Sequence, residues 1–105
     1  MTRYAIIDFE TNGLMPEAGG RALEVAAVMV EDGRIVDSWQ SLMNPGVSVP
    51  PFITALTGIT PAMVRGAPAP AEAMAGVATF VGDATLVAHN ASFDRRFWQY
   101  ELGRI

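Results

Sequence analysis

"IIDFETNGL", residues 6 to 14, sets Asp8 and Glu10 two positions apart at the end of an apolar run that begins at Arg3. The nearly unbroken "RYAIIDF" (3 to 9) reads as a central strand covered on both faces. In a strand, residues two apart point to the same face, so both carboxylates project together from its carboxyl end. Burying unpaired negative charge is costly. Two like charges held close push one pKa up unless a cation intervenes. A hard divalent ion, Mg²⁺ or Mn²⁺, resolves the conflict because it prefers carboxylate oxygen. The other reading places Asp8 and Glu10 in an exposed turn with no role.

The chain has 105 residues, enough for one domain (1–105) with a modest core. Half of it is hydrophobic and 17% is charged, which excludes a disordered chain and suits a buried sheet. With no cysteine, disulfides, zinc–thiolate sites and cysteine nucleophiles are excluded together, leaving oxygen or the single histidine for any metal. The opening "MTRYAIIDFET" is interrupted by an acid at position 8, too early for a signal peptide or a membrane span. A cytoplasmic protein with no membrane partner is the expectation. The net charge of −4 comes without a strong basic patch, so a polyanionic substrate would need bound cations for attraction. All seven basic residues are Arg, which suits bidentate phosphate contacts but equally suits a GC-rich genome.

Around the first strand the rest of the chain takes shape. "RALEVAAVMVE" (21 to 31) is a second strand, Asp32-Gly33 makes a tight hairpin turn, and "RIVDSWQSLMN" (34 to 44) returns as a third. "VPPFITALTG" and "ITPAMVRG" read as short helices, with Thr60 as an N-cap and Pro61 at the first helical position. "APAPAEAMAGVATFVG" (67 to 82) becomes an Ala-rich helix that stops at Gly82, and "ATLVAHN" (84 to 90) is a fourth strand. The last segment, "ASFDRRFWQYELGRI", carries apolar residues at helical spacing on two stripes: Phe93, Phe97 and Tyr100, then Trp98, Leu102 and Ile105. Its apolar pattern still runs at Ile105, so the chain reads as truncated at its C-terminus. Strands giving way to helix, strand and helix predict an α/β domain with a mixed sheet.

Asp94 falls in the first turn of that last helix, on the stripe of Trp98, Leu102 and Ile105, and so points inward. An acid there is favoured by the helix N-terminus, worth about 0.3 to 1 kcal/mol, but that does not explain an inward direction. Fed by the fourth strand, Asp94 can reach the carboxyl end of the sheet, where α/β ligand sites collect. Three acids then converge.

"IIDFETNGL" followed by "LVAHNASFDRRF" closely resembles the first two motifs of the DEDD-type 3′-to-5′ exonucleases, among them the epsilon-like proofreading exonucleases of bacterial DNA polymerase III. "RALEVAAVMVEDGRIV" and "NPGVSVPPFITALTGIT" are similar to that family's connecting segments, so the resemblance spans nearly the whole chain. It implies a ribonuclease H-like fold, three antiparallel strands plus a parallel fourth flanked by helices, with Asp8, Glu10 and Asp94 holding two Mg²⁺ or Mn²⁺ ions. Such a pair, about 3.5 to 4 Å apart, stabilises both the attacking and the departing oxygen of phosphodiester cleavage. The implied substrate is the single-stranded 3′ end of DNA or RNA, in the family's proofreading members alongside a DNA polymerase subunit. The resemblance also sets Thr11 and Leu14 beside the terminal nucleotide, Thr57, Gly58 and Ile59 on the opposite wall, and Asn90 and Phe93 in support. For each of these a packing role is the alternative, Phe93 as a core residue and Thr57 as a helix-end residue.

The family's third motif, H-x-x-x-x-D, has no match in this chain, which makes 105 residues the front part of a larger domain and leaves its activity alone in question. His89 belongs to the second motif and reads as structural or as an edge of the pocket, and Glu24 has no assigned role. Two other functions compete. A haloacid-dehalogenase-type phosphatase also ends a strand in D-x-D, but calls for a lysine this chain lacks. A non-catalytic exonuclease-like module, binding nucleic acid or a polymerase partner, is the second.

Overall fold

A computed structural model describes residues 2–13, 16, 19–88 and 91–103. Along these residues run β1 (Arg3–Thr11), β2 (Ala22–Glu31), β3 (Arg34–Leu42), α1 (Pro51–Thr57), α2 (Pro61–Arg65), α3 (Pro70–Val81), β4 (Thr85–Val87) and α4 (Ala91–Leu102). The strands form one sheet in the order β3-β2-β1-β4, with β1, β2 and β3 antiparallel and β4 parallel to β1. This is the mixed sheet the sequence predicts.

Local chemistry sets each junction. Asp32 and Gly33 both take positive φ, 51° and 80°, which is the twist a two-residue hairpin needs between β2 and β3. Thr60 accepts the Met63 amide at 3.1 Å as the N-cap of α2, with Pro61 following it. Gly58 closes α1 at φ 81° and donates to the Thr54 carbonyl at 2.8 Å. The expected fourth strand, residues 84 to 90, is shorter as observed: β4 covers Thr85–Val87, and His89 and Asn90 lie outside the described residues.

Period-two alternation decides which side of the sheet is buried. Ala5, Ile7 and Phe9 face Met29, Ala27 and Val25 across the β1–β2 register, and all six are buried. Onto this face α3 packs Ala73, Met74, Val77 and Val81, and α4 packs Phe97. Each side chain of the larger kind contributes roughly 1.5 to 3 kcal/mol by leaving water. At Gly76, a Cβ would lie 2.6 Å from Trp39 Cζ2, so the glycine lets α3 sit directly against β3.

The opposite face corrects the expectation that β1 is covered on both sides. Tyr4 and Ile6 are 41% and 42% exposed there, because both long helices stack on the other face. A near-continuous apolar run therefore marks β1 as the sheet's centre in the strand order, not as a strand buried twice. A register irregularity between Glu10 and Thr11 skips Leu23 and turns it into a second cluster with Val49, Ile53, Ile59 and Val64. That cluster seats α1 and α2 beside the carboxyl end of β1. Among the described residues no helix is long and apolar enough to cross a membrane.

Candidate active site

Asp8 and Glu10 leave β1 on the same face. Asp8 stands opposite Ala26 and is exposed, whereas Glu10 stands opposite Glu24 and is half-buried. Gln40, one strand further along, donates its amide to Glu24 Oε2 at 2.7 Å and so orients that carboxylate. Burial raises the Glu10 pKa above its usual value, and the nearby charges of Asp8, Glu24 and Asp94 raise it further. Four carboxylates therefore share one field at the strand's end.

Asp94 comes from far along the chain. Parallel pairing of β1 with β4 runs from Tyr4 to Ile6. Past it, the Phe9 amide donates to Asp94 Oδ1 at 3.2 Å. The carboxylate is buried at 3% exposure, so the inward direction expected of it is what the structure shows. The buried stripe of α4 differs from the expected one, however. It runs Asp94, Phe97, Glu101, while Trp98 and Leu102 are only partly buried beside the core.

Among the described residues no three acidic or histidine side chains stand close enough together to hold a metal ion as placed. The donor set nonetheless fits a hard divalent cation: it is carboxylate oxygen throughout, and Glu10 already bears the cost of its unneutralised neighbours.

Beside Glu10 a groove of about 420 Å³ opens between the end of β1 and α1. Thr11, Gly13 and Phe93 line one side, and Phe52, Leu56 and Thr57 the other. Thr11 Oγ1 donates to the Gly13 carbonyl at 2.6 Å, and Thr57 Oγ1 donates to the Ile53 carbonyl at 2.8 Å and accepts from the Ile59 amide at 3.1 Å. Phe93 also packs its ring 5.0 Å from that of Phe97, so it serves core and groove together. Gly58 and Ile59 do not line the groove: Gly58 caps α1, and Ile59 is buried in the second cluster. Leu14 and Asn90 lie outside the described residues.

Three features escape the sequence pattern. Phe52 and Leu56, 68% and 79% exposed, present an apolar wall that i, i+4 spacing on α1 would have signalled. Glu24 faces Glu10 only because of a register that a ten-residue connection leaves open. Arg21 and Glu101 form a buried ion pair, whose trace in sequence is a second acid, one helical turn beyond Phe97, on the buried stripe of α4.

A mixed sheet with acids at the carboxyl end of its central strand, flanked by helices, makes this a ribonuclease H-like α/β fold. The RNase T exonuclease family profile matches residues 5–105, and the chain belongs to that family. It is 43% identical over 99 residues to a PolC-type DNA polymerase III of Clostridium perfringens, covering 94% of this chain and 7% of that protein. It is 42% identical over 101 residues to the 3′-5′ exonuclease DinG of Bacillus subtilis, covering 95% of this chain and 11% of that protein. Among solved structures, exonuclease X in complex with 5′ overhanging duplex DNA superposes with a TM-score of 0.72 at 40% identity, over 90% of this chain and 52% of that one. The chain thus spans about a tenth of the length of these two curated relatives.

Proposed function

We propose that this chain belongs to a 3′-to-5′ exonuclease that removes nucleotides one at a time from a single-stranded 3′ end, in a protein that works with or within a DNA polymerase. The observation that carries the reading is the bond from the Phe9 amide to Asp94, which brings a carboxylate from 85 positions away to the residue between Asp8 and Glu10. Membership of the exonuclease family and the resemblance to a PolC-type polymerase support it.

Asp8, Glu10 and Asp94 would hold two Mg²⁺ or Mn²⁺ ions, which when bound supply charge stabilisation to both oxygens of an in-line displacement. Glu24, held by Gln40, adds to the burial and the Asp8 charge that oppose ionisation of Glu10. The groove beside Glu10 receives the terminal nucleotide, its base against the apolar wall of Phe52 and Leu56 and its sugar near Thr11. Water's oxygen forms the new bond to phosphorus as the bond to the 3′ oxygen of the preceding nucleotide breaks, and that oxygen leaves as a hydroxyl.

The test is a single-stranded oligonucleotide labelled at either end. A 5′ label should move down a ladder one nucleotide at a time, and a 3′ label should be released at once as mononucleotide, both only with Mg²⁺ or Mn²⁺ present. Shortening that persists in chelator, or internal cuts in place of a ladder, would dismiss the reading.

A further inference from the structure

Glu101 is fully buried at 0% exposure, and its carboxylate is bound on three sides. Arg21 reaches it with Nε at 3.0 Å and a terminal nitrogen at 2.9 Å, one to each oxygen, and the Ala22 amide adds a third bond at 3.0 Å. The guanidinium also lies 5.9 Å from the centre of the Tyr100 ring. Hydrogen bonding to Glu101 raises the Arg21 pKa despite burial, so the guanidinium stays charged.

This pair joins the two halves of the proposed site. On one side, Arg21 is clipped to the turn that follows β1: its amide donates to Asn12 Oδ1 at 2.7 Å, and its carbonyl accepts the Asn12 amide at 3.1 Å. That turn leads from Glu10 and Thr11 to Gly13 along the groove. On the other side, Glu101 lies seven positions after Asp94 on one buried stripe of α4, about two helical turns away. A helix is stiff over two turns, so fixing Glu101 fixes the roll of α4 and with it the direction of Asp94. Apolar side chains of similar volume would fill the same space without desolvating two charges. What they would lack is direction.

We propose that Arg21 and Glu101 are a positioning pair for the reaction, locking the turn after β1 and the Asp94 helix in one relative placement. The inference rests on the exonuclease reading and deepens it. Neither residue touches the reacting atoms.

The experiment uses the full chain with the double substitution Arg21→Met, Glu101→Leu, which restores apolar packing. Amide exchange is followed at Phe9, whose hydrogen is held by Asp94, and at Val25 and Ala27 as reporters of the sheet. Mn²⁺ affinity and kcat on a 3′-labelled oligonucleotide are measured alongside. The expected result is sheet protection within about threefold of the parent, with Phe9 protection, Mn²⁺ affinity and kcat each falling by roughly tenfold or more. Phe9 protection and kcat matching the parent would overturn the proposal and leave the pair as packing. If the double variant fails to fold, Arg21→Lys decides, since it keeps the charge but cannot span both oxygens: the same losses support the pair, and parental values overturn it. A parent chain that binds no Mn²⁺ would sink the metal-site reading, and this role with it, whatever Phe9 does.

Discussion

The Asp94 carboxylate accepts the amide hydrogen of Phe9 at 3.2 Å, tying the helix that follows β4 to the residue between Asp8 and Glu10. One oxygen thus has a structural task, and the charge has another. Substitution separates them. Asp94→Asn keeps an acceptor for Phe9 and should cost under about 1 kcal/mol of stability, while Asp94→Ala strands a buried amide and should cost about 1 to 3 kcal/mol. Both should lose more exonuclease activity than the roughly 10- to 100-fold that loss of an outer partner of a metal site costs. Urea melts and a labelled-oligonucleotide assay on both variants check this, and an active Asp94→Asn would remove Asp94 from the ligand set.

Burial first, and then the charges of Asp8, Glu24 and Asp94, disfavour ionised Glu10 in the metal-free protein, and the sign of the pH effect follows. Its folded pKa is raised above the ordinary 4.5, so the folded state resists its ionisation. The stability tied to protonated Glu10 is fully present below the ordinary value and is lost as pH rises through the raised one. In chelator, Glu10→Gln should therefore melt higher than the parent near neutral pH, with the gap closing below pH about 4.5. Adding Mg²⁺ should stabilise the parent more than the variant. A parent that melts higher than Glu10→Gln at neutral pH in chelator would contradict the crowding.

Phe52 and Leu56 are exposed on α1 with no core to explain them, and they face the groove. Stacking of a base on an aromatic ring is worth about 1 to 3 kcal/mol. Phe52→Ala should therefore raise KM for an oligonucleotide by roughly 5- to 150-fold with little change in melting temperature. Leu56→Ala should act in the same direction but more weakly. Unchanged KM in both would move the substrate path elsewhere.

Gly76 admits the Trp39 indole at a distance no Cβ tolerates. Gly76→Ala should gain about 1 kcal/mol of helix propensity and lose about 1 to 3 kcal/mol to overpacking, a net loss of up to about 2 kcal/mol. Combining it with Trp39→Phe, which removes the clashing ring, should cost less than the two changes summed. Strict additivity in denaturant melts would show that the contact is relieved another way.

Whatever depends on neighbours in sequence was legible. The Asp32-Gly33 hairpin, the Thr60 cap, the Gly82 stop and the same-face placement of Asp8 and Glu10 all follow from a few consecutive residues, because backbone sterics and the period of a strand act locally. The motif spacing likewise led to the right family.

Long-range packing alone decided the rest. Stacking of α3 and α4 on one face left Tyr4 and Ile6 half exposed, and strand register set Glu24 against Glu10. The bond from Phe9 to Asp94 and the pairing of Arg21 with Glu101 span 85 and 80 positions. Such contacts are chosen by which surfaces meet once the chain closes, and a carboxylate looks the same in sequence whether it ends in water, beside a cation or locked to an arginine.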